Sequence, residues 1–383
     1  MKNNRRNFIK KGASLAAVMS IGAATACNNS PKTEETKPNN FAKEAIKWPI
    51  DPGTNTPQLC VGASRSGDKA MMRKIKQIGA DNVLMGGPPI PWTKESLREI
   101  MDAYEAEGLK VINMMIGGHP NTIYGREGKD EEIDNIKKSL VAAGEAGLPV
   151  VEYNFYAHRL MEGYYLKEGR GGAGMTAFDY EPVKDLPADP AIGEHKTEDL
   201  WNNLSYFLKA VIPVAEEAGV RMALHPNDPP IPVSHGSDQI MATLSDWKRL
   251  IEIVDSASNG ITFDCGVTRE MGEDPLDVLQ YFGSRDRINH VHWRNVIVEK
   301  PYVKYAEVFL DEGQVNMFAV MQGLIDLGYS HGLYPEHPRA LDYDKEHEGG
   351  ISNQYPGGGG YTGQTYNLAF AKAMELAVLS LPS

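Results

Sequence analysis

Arg221-Met-Ala-Leu-His225-Pro-Asn-Asp228-Pro-Pro230 is a short apolar run that stops on a histidine. The proline-rich loop after it suits neither a strand nor a helix interior, so His225 is read at the carboxyl end of a strand. Three later runs end the same way: Ile261-Thr-Phe-Asp-Cys265-Gly, Ile288-Asn-His290-Val-His292-Trp, and Gly332-Leu-Tyr-Pro-Glu336-His337-Pro. Strands that stop in turn on His, Cys, His and Glu point to one shared site, and imidazole, thiolate and carboxylate donors are those of a divalent transition metal.

Working outward, short apolar runs alternate with amphipathic stretches of helical period from residue 58 onward. The predicted strands are Gln58 to Ala63, Asn82 to Met85, Lys110 to Ile116, Pro149 to Phe155, Val220 to Pro226, Gly260 to Cys265, Ile288 to Arg294 and Gly332 to Glu336. Helices are predicted at 68–78, 94–107, 130–146, 197–218, 245–256, 275–282, 315–327 and 364–379. Thr93 is a plausible helix cap, and Gly108, Gly147, Gly219 and Gly328 each separate a helical run from a strand. Eight strand–helix units predict a single (β/α)₈ TIM barrel over residues 47–383, with its active site at the carboxyl ends of the strands. An open doubly wound sheet would share the alternation, but Val61-Gly-Ala-Ser-Arg-Ser-Gly67 lacks its phosphate-binding glycine spacing. Long loops follow strands four, five and eight: Tyr156 to Lys196, Asn227 to Leu244 and Arg339 to Gly363. Gly169-Arg-Gly-Gly-Ala-Gly174 and Pro356-Gly-Gly-Gly-Gly-Tyr361 suggest mobile lids, with a surface insertion as the alternative for the first loop.

The chain's 383 residues are 42% apolar, enough for a substantial core, and a net charge of −12 disfavours nucleic acid as a partner. Residues 1–27 are read as an export signal. Arg5-Arg6-Asn7-Phe8-Ile9-Lys10 resembles the twin-arginine motif, and Cys27 after Ala24-Thr-Ala26 looks like a lipoprotein cleavage site. The expectation is an exported, periplasmic protein lipid-anchored at Cys27, with cleavage without lipid as the alternative. Residues 28–46 have the composition of a flexible tether. Cys60 and Cys265 remain for the folded part, and Cys265 is expected as a thiol or thiolate at the site.

His225, Cys265, His292 and Glu336 are the expected metal ligands. His290 shares a strand face with His292, and Glu152 lies in the otherwise apolar run Val150-Val-Glu-Tyr-Asn154-Phe155, so both are reserve ligands. A register shifted by one would make Asp264 the donor and Cys265 the structural residue. Arg294 and Asn295 are placed to hold a carboxylate or hydroxyls, while His119 in Gly117-Gly-His-Pro120 is a weak candidate.

At these residues the chain resembles the mannonate dehydratases, of the xylose-isomerase-like barrel type. Leu224-His225-Pro-Asn227-Asp228-Pro-Pro230 is similar to that family's Leu-His-Pro-Asp-Asp-Pro-Pro segment. Glu152-Tyr-Asn154-Phe155 is similar to its Cys-Tyr-Asn-Phe strand, and His292-Trp-Arg294-Asn295-Val296 to its His-Leu-Arg-Asn-Val segment. Thr262-Phe-Asp264-Cys265-Gly266 looks like Thr-Phe-Cys-Thr-Gly with one residue inserted or a local realignment, and Pro335-Glu336-His337-Pro-Arg339 is similar to Pro-Asp-His-Gly-Arg. Gly360-Tyr361 is similar to a Gly-Tyr before the last helix.

The resemblance implies a metal-dependent barrel that dehydrates D-mannonate to 2-keto-3-deoxygluconate. It implies His337 and Tyr361 as proton-transfer groups; Arg294 is expected to complete the catalytic set by holding the substrate carboxylate, and Asn154, Asn295 and Asp228 are the expected substrate-binding groups. Mn²⁺ is the usual ion; Fe²⁺, Co²⁺ and Zn²⁺ suit the same donors. Glu336 replaces the family's Asp, Glu152 replaces a Cys, and Ala157-His158-Arg159 stands where the family has Asp-Trp-Thr-Arg. The expected partner is a small sugar acid or oxidised sugar, the membrane is met only through the anchor, and a homo-oligomer is compatible. A metal-dependent sugar isomerase, epimerase or 3-keto-sugar eliminase is the first alternative, and a non-catalytic sugar-binding lipoprotein the second.

Overall fold

The computed structural model describes residues 48–347 and 355–381. The expected export signal, the tether and Cys27 lie outside the described residues. In chain order the strands are β1 (Gln58–Gly62), β2 (Asn82–Gly86), β3 (Lys110–Ile116), β4 (Val150–Tyr153), β5 (Tyr164–Glu168), β6 (Gly174–Asp179), β7 (Arg221–Leu224), β8 (Val233–Ser234), β9 (Ser237–Asp238), β10 (Asn259–Asp264), β11 (Ile288–His292), β12 (Asn295–Lys300), β13 (Lys304–Val308) and β14 (Gly332–Tyr334). Eight of them close into a barrel in the order β1-β14-β11-β10-β7-β4-β3-β2, every neighbouring pair parallel. This is the expected (β/α)₈ fold, and the brief first strand pairs with both β2 and β14.

The helices are α1 (Lys69–Gln77), α2 (Lys94–Glu105), α3 (Pro120–Tyr124), α4 (Lys129–Ala146), α5 (Thr197–Glu217), α6 (Leu244–Ile253), α7 (Cys265–Glu270), α8 (Pro275–Gly283), α9 (Met317–Asp326), α10 (Asp342–Glu346) and α11 (Tyr361–Leu379). Thr93 caps α2 in a reciprocal box with Ser96, satisfying amide donors that the first turn leaves free. Gly147 ends α4 at φ +80°, where a side chain would be strained, and so returns the chain into β4. All four residues of β4 are buried, as in a strand covered by helices outside and by other strands' side chains within, and this carries Glu152 into the barrel. No helix among the described residues is long and apolar enough to cross a membrane.

Two features depart from expectation. The stretch Tyr156 to Lys196 contains the hairpin β5–β6, which joins β12 and β13 in an antiparallel sheet of order β12-β13-β6-β5. Leu160, Tyr164, Phe178, Ile231, Tyr305 and Tyr355 build a second apolar core with this sheet. The glycines read as a lid signal instead serve tight geometry: Gly171 and Gly172 lie in the β5–β6 turn at positive φ. A Cβ on Gly357 would lie 2.4 Å from the Met175 carbonyl oxygen, too close for any other residue. Secondly, α7 begins directly at Cys265, so the second predicted site strand ends one residue early.

Candidate metal centre

The carboxyl ends of β7, β10, β11 and β14 bring His225, Asp264, His292 and Glu336 together. His225 Nε2 lies 3.0 Å from His292 Nδ1, which lies 2.9 Å from Glu336 Oε2. Asp264 joins the two histidines in a group whose donor atoms are all within 4.8 Å of one another. All four residues are buried.

Local hydrogen bonds orient these donors. His225 Nδ1 faces the Pro226 carbonyl at 2.7 Å; a carbonyl only accepts, so Nδ1 carries the proton and Nε2 is left bare for a ligand. Burial, then the neighbouring His292, lowers the His225 pKa to about 4, keeping its ring neutral. Burial also acts to lower His292, but Glu336 and Glu152 outweigh it and raise its pKa to about 9. The cluster therefore favours a positive charge at its centre.

Glu152 accepts from Asn113 Nδ2 and Thr262 Oγ1, both at 2.8 Å, and its Oε1 lies 3.4 Å from His292 Nε2. His290, fully buried beneath His292, makes no hydrogen bond through either nitrogen. With His292, the two reserve candidates form a further group whose donor atoms all lie within 4.8 Å of one another.

Cys265 is not part of this group. Its Sγ donates to the Arg294 carbonyl at 3.3 Å and packs in the barrel-wall core. The reason is the pleat: Asp264 is the partner of His292 across the β10–β11 ladder, and Thr262 of His290, so Thr262 and Asp264 face inward with the histidines. The shifted-register reading is the one the structure follows. Asp264 also caps α7 by accepting from the Val267 amide at 2.8 Å.

Arg294 and Asn295 are likewise corrected. The Arg294 guanidinium is buried among Asp228, Asp264, Glu270, Glu307 and Glu336, at 2.8–3.4 Å, and does not line the cavity. It holds carboxylates of the protein in place of one from a ligand. Asn295 spends its amide on Leu310 O and Val315 O and its carbonyl on Val296 N and Val315 N, tying down the chain beyond β13. His119 is buried with its ring stacked 5.5 Å from Phe207, a packing role.

A cavity of about 860 Å³ opens over the cluster. Glu152, His225, His292 and Glu336 form part of its wall, together with Asn154, Asp228, His337 and Tyr361 from the expected substrate and catalytic set. His337 adopts φ +42°, rare for a side-chain-bearing residue, and places Nδ1 2.9 Å from Glu307 Oε2 and Nε2 3.5 Å from Glu336 Oε2. Burial opposes its protonation, but Glu307 and Glu336 raise its pKa above the usual imidazole value. Tyr361 opens α11 and donates its hydroxyl to the Lys74 carbonyl at 3.1 Å. Asp228 accepts from Tyr164 at 2.7 Å.

Three site residues escaped the sequence reading. Arg159 lines the cavity, donating to Asp228 O at 2.7 Å, with its side chain 22% exposed. Tyr355 stands 4.6 Å from the His337 ring. Glu307, which orients His337, comes from β13 in a part of the sequence without a site signal.

The donors fit a divalent ion. Ligands in cis positions about 2.1 Å from an ion are separated by about 3.0 Å, close to the spacings of His292 from His225 and Glu336. His292 Nε2, on the other side of the ring, makes no hydrogen bond and lies 3.4 Å from Glu152 Oε1, so it too is a buried donor that a nearby cation would satisfy.

Residues 191–378 match a family model described as D-mannonate dehydratase (UxuA). A mannonate dehydratase of Streptococcus equi subsp. zooepidemicus is 31% identical over 305 residues, covering 72% of this chain and 84% of the relative. One of Thermotoga maritima is 30% identical over 322 residues, covering 74% and 89%. The crystal structure of mannonate dehydratase from Streptococcus suis superposes with a TM-score of 0.75 at 28% identity, covering 84% of this chain and 95% of that one.

Proposed function

The chain belongs to the mannonate dehydratase family, and on that premise we propose that it is a carbon–oxygen lyase removing water from D-mannonate, or a closely related sugar acid, to give the 2-keto-3-deoxy acid. The observation that carries this reading is that His225, His292, Glu336 and His337 line one cavity, with Asp264 within reach of the two histidines and Glu307 bonded to His337.

A divalent ion held by His225, Asp264, His292 and Glu336 would supply Lewis-acid charge opposite the substrate carboxylate. With Cys265 turned into the barrel wall, the donors are two imidazoles and two carboxylates, a harder set than one with thiolate. That supports manganese as the ion, ahead of zinc.

Dehydration requires a base for the proton on C2 and an acid for the hydroxyl leaving C3; the resulting enol then ketonises. Glu307 holds Nδ1–H of His337 and stabilises the imidazolium, so Nε2 is available to take the C2 proton. Tyr361 is assigned as the acid that protonates the leaving hydroxyl, with Tyr355 as its competitor beside His337. Arg159 replaces Arg294 as the substrate-facing cation, and Asn154 and Asp228 remain as partners for the hydroxyls. The relatives favour neither the isomerase, epimerase or eliminase reading nor the non-catalytic one.

Turnover of D-mannonate by metal-reconstituted protein, read as 2-keto-3-deoxygluconate with manganese, cobalt and zinc in parallel, tests the reading. Activity that disappears in His225→Ala supports it, while bound metal without turnover of any sugar acid overturns it. We also propose export and lipid anchoring at Cys27, supported by Arg5-Arg6 and the Ala24-Thr-Ala26 segment. Identical membrane partitioning of wild type and Cys27→Ala would refute the anchor.

A further inference from the structure

The loops that leave β4 and β7 hold a second convergence of donors, sharing no residue with the barrel cluster. His158, Glu162 and His235 each place one donor atom within 4.8 Å of the others. His158 comes from the loop after β4, as does Glu162, whereas His235 lies in the turn of the β8–β9 hairpin beyond β7.

Both imidazoles are anchored from behind. His158 Nδ1 lies 3.0 Å from Ser234 Oγ, and His235 Nδ1 lies 2.8 Å from the Pro187 carbonyl. A carbonyl can only accept, so His235 carries its proton on Nδ1, as metal-ligating histidines do when a backbone oxygen fixes their tautomer. Its Nε2 then faces Glu162 Oε1 at 3.1 Å. In a neutral ring these are two acceptors pointing at each other, an arrangement that is repulsive unless a second proton or a metal cation lies between them.

The two rings are also held close together, with centroids 3.9 Å apart. Burial, and then His235 itself, lowers the pKa of His158. His235 adopts φ +48° next to Gly236 at φ +74°, in a two-residue turn whose first position ordinarily takes Asn, Asp or Gly. An imidazole held in that backbone state, tautomer fixed and aimed at a carboxylate, is more than a turn requires.

We propose that His158, Glu162 and His235 form a second divalent-cation site, of zinc type, that staples the loop after β4 to the loop after β7. Two imidazoles and one carboxylate are a common zinc set, with water completing the four-coordinate shell. Glu162 is the most exposed of the three, its side chain 47% accessible, so solvent reaches the ion on that side. The stapled loops carry Arg159 and Asp228, which line the large cavity, so the ion fixes the backbone beside the substrate pocket without touching substrate.

The test is zinc stoichiometry and thermal stability of the full chain after chelator treatment and dialysis, with zinc alone as the probe. His235→Asn keeps a residue that tolerates positive φ and removes the imidazole. It is expected to bind one zinc equivalent fewer than wild type and to lose part of the zinc-induced rise in Tm. His158→Gln should do the same. In a His225→Ala background, one equivalent should remain and vanish on adding His235→Asn. Unchanged stoichiometry in both His235→Asn and His158→Gln would overturn the site and leave a hydrogen-bonded histidine–glutamate pair.

Discussion

Replacing Asp264 by Asn and, separately, Cys265 by Ala distinguishes the inward carboxylate from the outward thiol. The Asp264→Asn change keeps the size of the side chain and its ability to cap α7, since Asn is as good a cap as Asp and its carbonyl can still accept from Val267. Four carboxylates would still surround Arg294, so the fold should survive. What disappears is one anionic donor within reach of His225 and His292. Mutating residues that only orient metal ligands typically weakens binding about 10–100-fold. Losing a direct ligand should exceed that, by more than about 100-fold or roughly 2.7 kcal/mol. Cys265→Ala instead removes a buried sulfur and its bond to the Arg294 carbonyl, costing about 1–2 kcal/mol of stability with metal affinity unchanged. Titration of chelator-stripped protein with manganese, alongside urea unfolding of the metal-free variants, measures both quantities. In cobalt-loaded protein, thiolate charge-transfer absorption should be absent. If Cys265→Ala abolishes binding while Asp264→Asn retains it, the assignment of the inward face is wrong.

Three further outcomes are expected. Arg294→Gln leaves five carboxylates without their common cation and should destabilise the fold by about 3–5 kcal/mol; a change below about 1 kcal/mol in urea would show that these groups share protons instead. Tyr361→Phe should lower kcat by about 10²–10⁴-fold with the fold intact, whereas full turnover in Tyr361→Phe and loss in Tyr355→Phe would transfer the acid role to Tyr355. Burial raises the pKa of the Glu375 carboxyl to about 7, so the folded state holds its proton more tightly than the unfolded chain. That stabilisation is complete below the unfolded carboxyl pKa, about 4.3, and is lost as pH rises through 7. Glu375→Gln should therefore raise Tm relative to wild type at pH 8, by the equivalent of about 1–3 kcal/mol, and leave it nearly unchanged at pH 4; equal shifts at both pH values would refute the titration.

Much of the fold was legible because it rests on local periodicities. The four site strands gave themselves away by ending abruptly in metal-donor residues, three of them beside a proline or glycine, and Thr93 and Gly147 marked helix ends through capping chemistry. The small sheet was missed because β12 and β13 carry no clear alternation of burial and β13 pairs with β6 more than a hundred residues earlier. The glycines at 169–174 and 356–360 read as flexibility, yet Gly357 is required by the approach of another backbone, which composition does not encode.

At the site, the sequence by itself determined which residue types gather at the carboxyl ends of the strands, since a barrel brings every strand end to one face whatever the intervening chain does. His225, His292, Glu336 and His337 follow from that topology. Which neighbour faces inward was decided only in three dimensions: the ladder pairs Asp264 with His292, and one residue along a pleat separates a group beside the two histidines from a thiol packed in the wall. Arg294 shows the same limit, because a guanidinium beside a site is equally suited to bind substrate or to hold the protein's own carboxylates. Five carboxylates from distant parts of the chain converge on it, and their positions exist only once the barrel and its added sheet are closed.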